Sequence, residues 1–106
     1  MRTSYRTSAL ARVPGSRNAS GVARIPSDAA RLVGARIRAK RLDLKLTQDQ
    51  LAHQSGIDPS NLRAYESGRG MPNVYTVVRL SQALLLEEPG ELLQGLTAEL
   101  FGDRGN

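Results

Sequence analysis

The sequence predicts a small all-α domain built around two short helices joined by a tight turn. Helix-capping residues stand directly before apolar stretches at Ser27/Asp28, Thr47 and Asp58. Ser55-Gly56 falls between the second and third of these stretches, and Gly56 suits the left-handed conformation that a tight turn needs. The length, 106 residues, fits one domain.

Each element follows from its residues. Residues 1–27 read as a disordered basic arm. Arg2, Arg6, Arg12, Arg17 and Arg24 are spaced through small residues with no acid among them, and Pro14-Gly15, Gly21 and Pro26 interrupt any helix. The first helix starts at Ser27 or Asp28, carries Val33 and Ile37 at helical spacing, and ends near Asp43. Leu44-Lys45-Leu46 is a short linker. Thr47-Gln48-Asp49-Gln50 reads as a capping box, with Gln50 three residues after the cap, and Leu51-Ala52 form the inward face of a brief helix. Asp58-Pro59 restarts the chain as cap and first helical residue. In this third helix Leu62 and Tyr65 point inward, leaving Ser60, Asn61, Arg63 and Ala64 outward. Ser67-Gly68 ends it. Two short helices with a glycine turn between them, the second outwardly polar, make a helix-turn-helix.

Composition excludes whole classes of function. There is no cysteine, so thiol catalysis, disulfides and Cys-based zinc sites are absent. The one histidine, His53, rules out a His-cluster metal site. No nucleophile motif or glycine-rich phosphate loop is present, so the chain reads as a non-enzyme without cofactors or metal. No apolar run reaches the roughly 20 residues of a membrane span, and the basic start lacks the apolar stretch of a signal peptide. A cytoplasmic protein, on the nucleoid when DNA-bound, is the expectation. Charge points to an anionic partner: residues 1–45 hold 11 basic residues and two acids, residues 46–106 four arginines and eight acids. Thirteen of the 15 cations are arginine, whose planar fork suits phosphates and base edges.

The segment Leu46-Thr47-Gln48-Asp49-Gln50-Leu51-Ala52, then Ser55-Gly56-Ile57, Leu62 and Glu66-Ser67-Gly68-Arg69, resembles the Cro/repressor (xenobiotic-response-element type) helix-turn-helix family. The likeness continues through Pro72-Asn73-Val74 and Leu80–Leu84 to Leu93, covering about residues 30–95. It implies a five-helix, lambda-repressor-like DNA-binding domain over 28–95, with helices at about 28–43, 47–54, 58–67, 74–85 and 88–95 and a tail over 96–106. Asn73 would cap the fourth helix. Where the family has Gly-Val after that helix, this chain has Leu85-Leu86, which leaves its end open.

The resemblance also implies how double-stranded DNA is held. Side chains at the exposed N-terminal part of a recognition helix reach base edges. Here these are Pro59, Ser60, Asn61, Arg63 and Ala64. Gln48 fills the family's phosphate-clamp position, and Arg69, Asn73, Arg38 and Lys40 are further phosphate candidates. Arg41 and Glu66 match a structural ion pair. The leucines Leu85, Leu86, Leu92, Leu93, Leu96 and Leu100, with Phe101, exceed what one short helix needs, which suggests a homodimer. The sum is a dimeric repressor or controller. The alternatives are an antitoxin that also represses its own operon, with a toxin protein as partner, and a co-regulator that binds another transcription protein.

Overall fold

The structure, a computed structural model, describes residues 27–102. The arm expected over 1–27 therefore lies outside the described residues except for Ser27, as do residues 103–106 of the expected tail.

Among the described residues four α-helices form in order. Helix α1 (Asp28–Asp43) starts where the Ser27 hydroxyl accepts a hydrogen bond from the Ala30 N–H at 3.0 Å. It buries Ala29, Ala30, Val33, Ile37 and Arg41. Helix α2 (Gln48–Ser55) opens with a complete capping box: the Gln50 N–H donates to Thr47 Oγ1 at 3.0 Å and the Thr47 N–H to Gln50 Oε1 at 2.8 Å. Two orphan donors are thereby satisfied, a device that contributes about 1 kcal/mol. Helix α3 (Pro59–Glu66) is capped by Asp58, and α4 (Val74–Ala83) by Asn73, whose Oδ1 accepts from the Thr76 N–H at 2.8 Å. Two 3-10 turns follow, Pro89–Leu92 and Ala98–Phe101.

Ile37, Leu51, Leu62, Leu80 and Leu92 are fully buried where the helices meet, with Val33, Tyr65, Val77 and Leu84 around them. Each such side chain contributes about 1.5–3 kcal/mol on burial. Gly34 lets α1 touch α3 backbone to backbone. A Cβ there would overlap the Tyr65 carbonyl oxygen, so this close approach of α1 to α3 depends on glycine.

The C-terminal third differs from expectation in three ways. The fourth helix ends at Ala83 rather than 85. Leu84 is its C-cap, and Leu85 takes the left-handed conformation (φ 61°) that ordinarily favours glycine. The helix expected over 88–95 is a single 3-10 turn: Pro89 starts it as a first helical residue can, but Leu93 already caps it and Gly95 turns the chain with φ 86°. The leucines expected to be surplus largely complete the core. Leu92 is fully buried, and Leu86, Leu93 and Leu96 pack against the cluster, leaving Leu85 and Phe101 exposed. No helix among the described residues is long and apolar enough to cross a membrane.

Candidate nucleic-acid interface

Helices α2 and α3 meet at a turn held from both sides. Gly56 is left-handed (φ 72°), and the Ile57 N–H donates to the Ala52 carbonyl at 2.9 Å, which closes the end of α2. From α4, Arg79 donates through Nε to the Ser55 carbonyl at 2.6 Å and through Nη1 to the Tyr75 hydroxyl at 2.6 Å. A side chain at position 56 would collide with this guanidinium. The turn thus needs glycine for its φ, and a larger residue would also displace the Arg79 guanidinium from its contacts.

The far end of α3 is fixed to α1. Arg41 Nε donates to Glu66 Oε2 at 2.7 Å and Nη2 to Oε1 at 2.9 Å, a bidentate pair whose side chains are 9% and 3% exposed. Arg41 Nη1 also donates to the Leu46 carbonyl at 2.8 Å. The Glu66 hydrogen bonds hold the guanidinium pKa above its ordinary value, against the opposing effect of burial. Glu66 Oε1 accepts a third bond, from Gln48 Nε2 at 3.0 Å. Gln48 is thereby oriented at the start of α2, with its remaining amide hydrogen left to donate elsewhere.

At the other end of α3, the Asp58 carboxylate accepts from both the Ser60 N–H (2.8 Å) and the Ser60 hydroxyl (2.7 Å). Those bonds, the hydroxyl's first, lower its pKa below the usual aspartate value. Pro59, Ser60 and Arg63 are exposed and Asn61 is half-buried. Arg63 Nη1 stands 3.8 Å from Asp49 Oδ1 on α2. Together with Lys45, Thr47 and Gln48 these two line a shallow groove between the end of α1, the start of α2 and α3.

Ala64 corrects the sequence reading. It is fully buried and so cannot touch a thymine methyl. The turn after α3 folds back over it: the Arg69 and Gly70 N–H groups both donate to the Ala64 carbonyl, at 2.9 and 3.2 Å. The other candidates spread over the surface. Arg69 is exposed beside that turn, its Nε donating to Ser67 Oγ at 3.0 Å. Asn73 spends its oxygen on capping α4. Arg38 is exposed on α1, whereas Lys40 lines a different groove, with Arg36, Glu91 and Gln94. His53 is exposed on α2.

Sequence reasoning overlooked Lys45, Asp49 and Arg79. Lys45 signals itself only through its left-handed backbone (φ 58°), and the Arg79–Ser55 bond joins residues 24 apart. Asp49 reads as ordinary first-turn chemistry, since an acid there complements the helix dipole.

Comparison with known proteins agrees with this geometry. The sequence profile of the helix-turn-helix family matches residues 37–89. The chain is 38% identical over 58 residues to the HTH-type transcriptional repressor RghR of Bacillus subtilis (strain 168), an overlap of 54% of this chain and 43% of that protein. It therefore spans less than half of that relative's length. Two solved structures are also similar. The restriction-modification controller protein C.AhdI from Aeromonas hydrophila matches with a TM-score of 0.57 and 33% identity, over 59% of this chain and 94% of that one. The P22 c2 repressor protein, solved in complex with a synthetic operator, matches with a TM-score of 0.56 and 35% identity, over 61% and 97%.

Proposed function

The chain belongs to the helix-turn-helix family, and from that membership we propose that it is a sequence-specific regulator of transcription, a dimeric repressor or controller that reads a two-fold symmetric operator with α3. The observation that carries this is the presentation of α3. It is pinned to α1 at one end by Arg41–Glu66 and capped by Asp58 at the other, and it offers Pro59, Ser60, Asn61 and Arg63 outward. A helix fixed in this way can enter the major groove without reorganising. Arg63 suits the O6 and N7 of guanine, and Asn61 the N6 and N7 of adenine.

Phosphates position the domain. Gln48, held by Glu66 at the start of α2, anchors one strand, helped by the helix dipole. Arg69, Arg38 and the amide nitrogen of Asn73 add contacts around it. The exposed Leu85 and Phe101 favour self-association through the C-terminal region. The controller and repressor named among the similar structures support the regulatory role. No step here calls for catalysis or a cofactor.

The test is selection of bound fragments from random duplex by the full chain, followed by sequencing, with sedimentation at micromolar protein. Inverted repeats whose half-sites lie one helical turn apart, about 34–36 Å, are expected, together with a dimer. No enriched sequence would end the proposal, and a monomer on a single half-site would end its dimeric part. Deleting residues 1–27 separates a DNA-binding arm from a free tail: an arm on DNA predicts a slope of log affinity against log salt lower by about 0.9 per lost phosphate contact. An unchanged slope would remove the arm from the interface.

A further inference from the structure

Three acids lie on α2, α3 and the turn between them, and two have evident occupations. Glu66 accepts from Arg41 and Gln48, and Asp58 caps α3 through Ser60. The third, Asp49, sits one residue after the proposed phosphate anchor Gln48 on a surface meant to meet a polyanion. Its carboxylate is 81% exposed and stands 3.8 Å from the Arg63 guanidinium, itself 52% exposed. Helix-dipole complementarity explains an acid in the first turn of α2, but not why it faces the arginine.

We infer that Asp49 is a specificity-determining residue: its carboxylate restrains Arg63 toward a base edge and opposes its capture by a phosphate. The inference rests on the DNA-reading role proposed above for Arg63. An unaccompanied arginine at a DNA surface gains readily from any phosphate, whatever the sequence, because each such contact releases counterions. With Asp49 beside it, a phosphate gripped by Arg63 also comes within a few ångströms of a second negative charge, and attraction is offset by repulsion. Guanine presents O6 and N7 as partial charges only. The arginine fork can engage both acceptors while another of its five N–H groups stays turned toward the carboxylate. Asp49 therefore penalises the sequence-blind contact and spares the sequence-reading one.

The experiment measures the full chain and its Asp49→Asn, Asp49→Glu and Arg63→Ala variants, and the Asp49→Asn/Arg63→Ala double variant. Each is tested against the selected operator, single-base variants of it and an unrelated duplex. Asp49→Asn is expected to raise affinity for the unrelated duplex by about two- to fivefold, the range an exposed ion pair spans. Operator affinity should hardly change, so discrimination falls by that factor, most at the base pair read by Arg63. Asp49→Glu should retain discrimination. In the Arg63→Ala background, Asp49→Asn should alter all duplexes alike. A helix-dipole role would lower thermal stability in Asp49→Asn but leave base preferences in place. If Asp49→Asn changes all duplexes equally while Arg63→Ala relaxes one base preference, this inference fails and the proposed readout stands. If Arg63→Ala relaxes none, both fall.

Discussion

Replacing Glu66 by alanine probes the joint that fixes α3 on α1. The side chain is 3% exposed and accepts three hydrogen bonds, two from Arg41 and one from Gln48. Its removal leaves the Arg41 guanidinium, 9% exposed, with only the Leu46 carbonyl. A buried charge stripped of its partner costs about 3–5 kcal/mol, whereas an exposed pair is worth about 0–1. At about 0.05–0.15 kcal/mol per residue, a domain of this size has a total stability of roughly 4–11 kcal/mol. Glu66→Ala should therefore remove a large fraction of it. In urea, with a slope of about 1–2 kcal/mol per molar for a small domain, that loss of about 3–5 kcal/mol should lower the midpoint by about 1.5–5 M. A double variant, Arg41→Met with Glu66→Leu, removes both charges and should recover most of the loss, since apolar replacements of buried pairs are often neutral or better. Recovery should stop short of a gain, because the Leu46 carbonyl loses its donor. A loss below about 1 kcal/mol for Glu66→Ala would mean that the pair behaves as a surface contact and that something else holds α3.

Further expectations follow from single residues. Leu85→Gly relieves a left-handed leucine at φ 61° that is 76% exposed; relief of about 1–2 kcal/mol, less the entropy of a freer unfolded chain, should raise stability by about 0.5–1 kcal/mol, and a lower urea midpoint would contradict this. Gly34→Ala would gain about 0.5–1 kcal/mol at an exposed helical site, but here it forces α1 off the Tyr65 carbonyl and should cost about 1–3 kcal/mol; a stabilised protein would refute the close approach. Asp58 has a folded pKa below its unfolded value of about 3.9, so its contribution is present above that value and lost as pH falls through the lowered folded pKa. From about pH 5 to about pH 2 the wild type should lose more stability than Asp58→Asn, read from urea midpoints, and parallel losses would show that the charge is not used.

What local chemistry decides was legible without coordinates. The span of α1, the Thr47–Gln50 box, the Asp58-Pro59 start and the Gly56 turn each depend on a few adjacent residues, and the helices follow them. What tertiary contact decides was not. Ala64 looks outward by helical spacing, yet the chain five and six residues later folds over it. Arg36 anchors the C-terminal segment by donating to the Gln94 carbonyl at 2.7 Å, across 58 residues. The leucines after α4 looked like partner surface because their own short turn cannot bury them; α1 and α4 supply the other side of that core. At the proposed interface, Gln48 and Arg63 could be singled out by position in a motif. The neighbours that orient them, Glu66 and Asp49, lie on other helices, and only the packing of α2 against α3 joins each pair.

The central claim is that α3 reads bases while the start of α2 holds phosphate, and one measurement separates the two. Arg63→Ala and Gln48→Ala are titrated against the selected operator and every single-base change within it. Arg63→Ala should weaken operator binding and flatten preference at one base pair in each half-site, at a cost of about 1–3 kcal/mol of discrimination. Gln48→Ala should weaken binding to every duplex by a common factor, since a phosphate contact carries no sequence information. A uniform loss for Arg63→Ala with every preference intact would contradict the account and leave Ser60 and Asn61 to carry the readout.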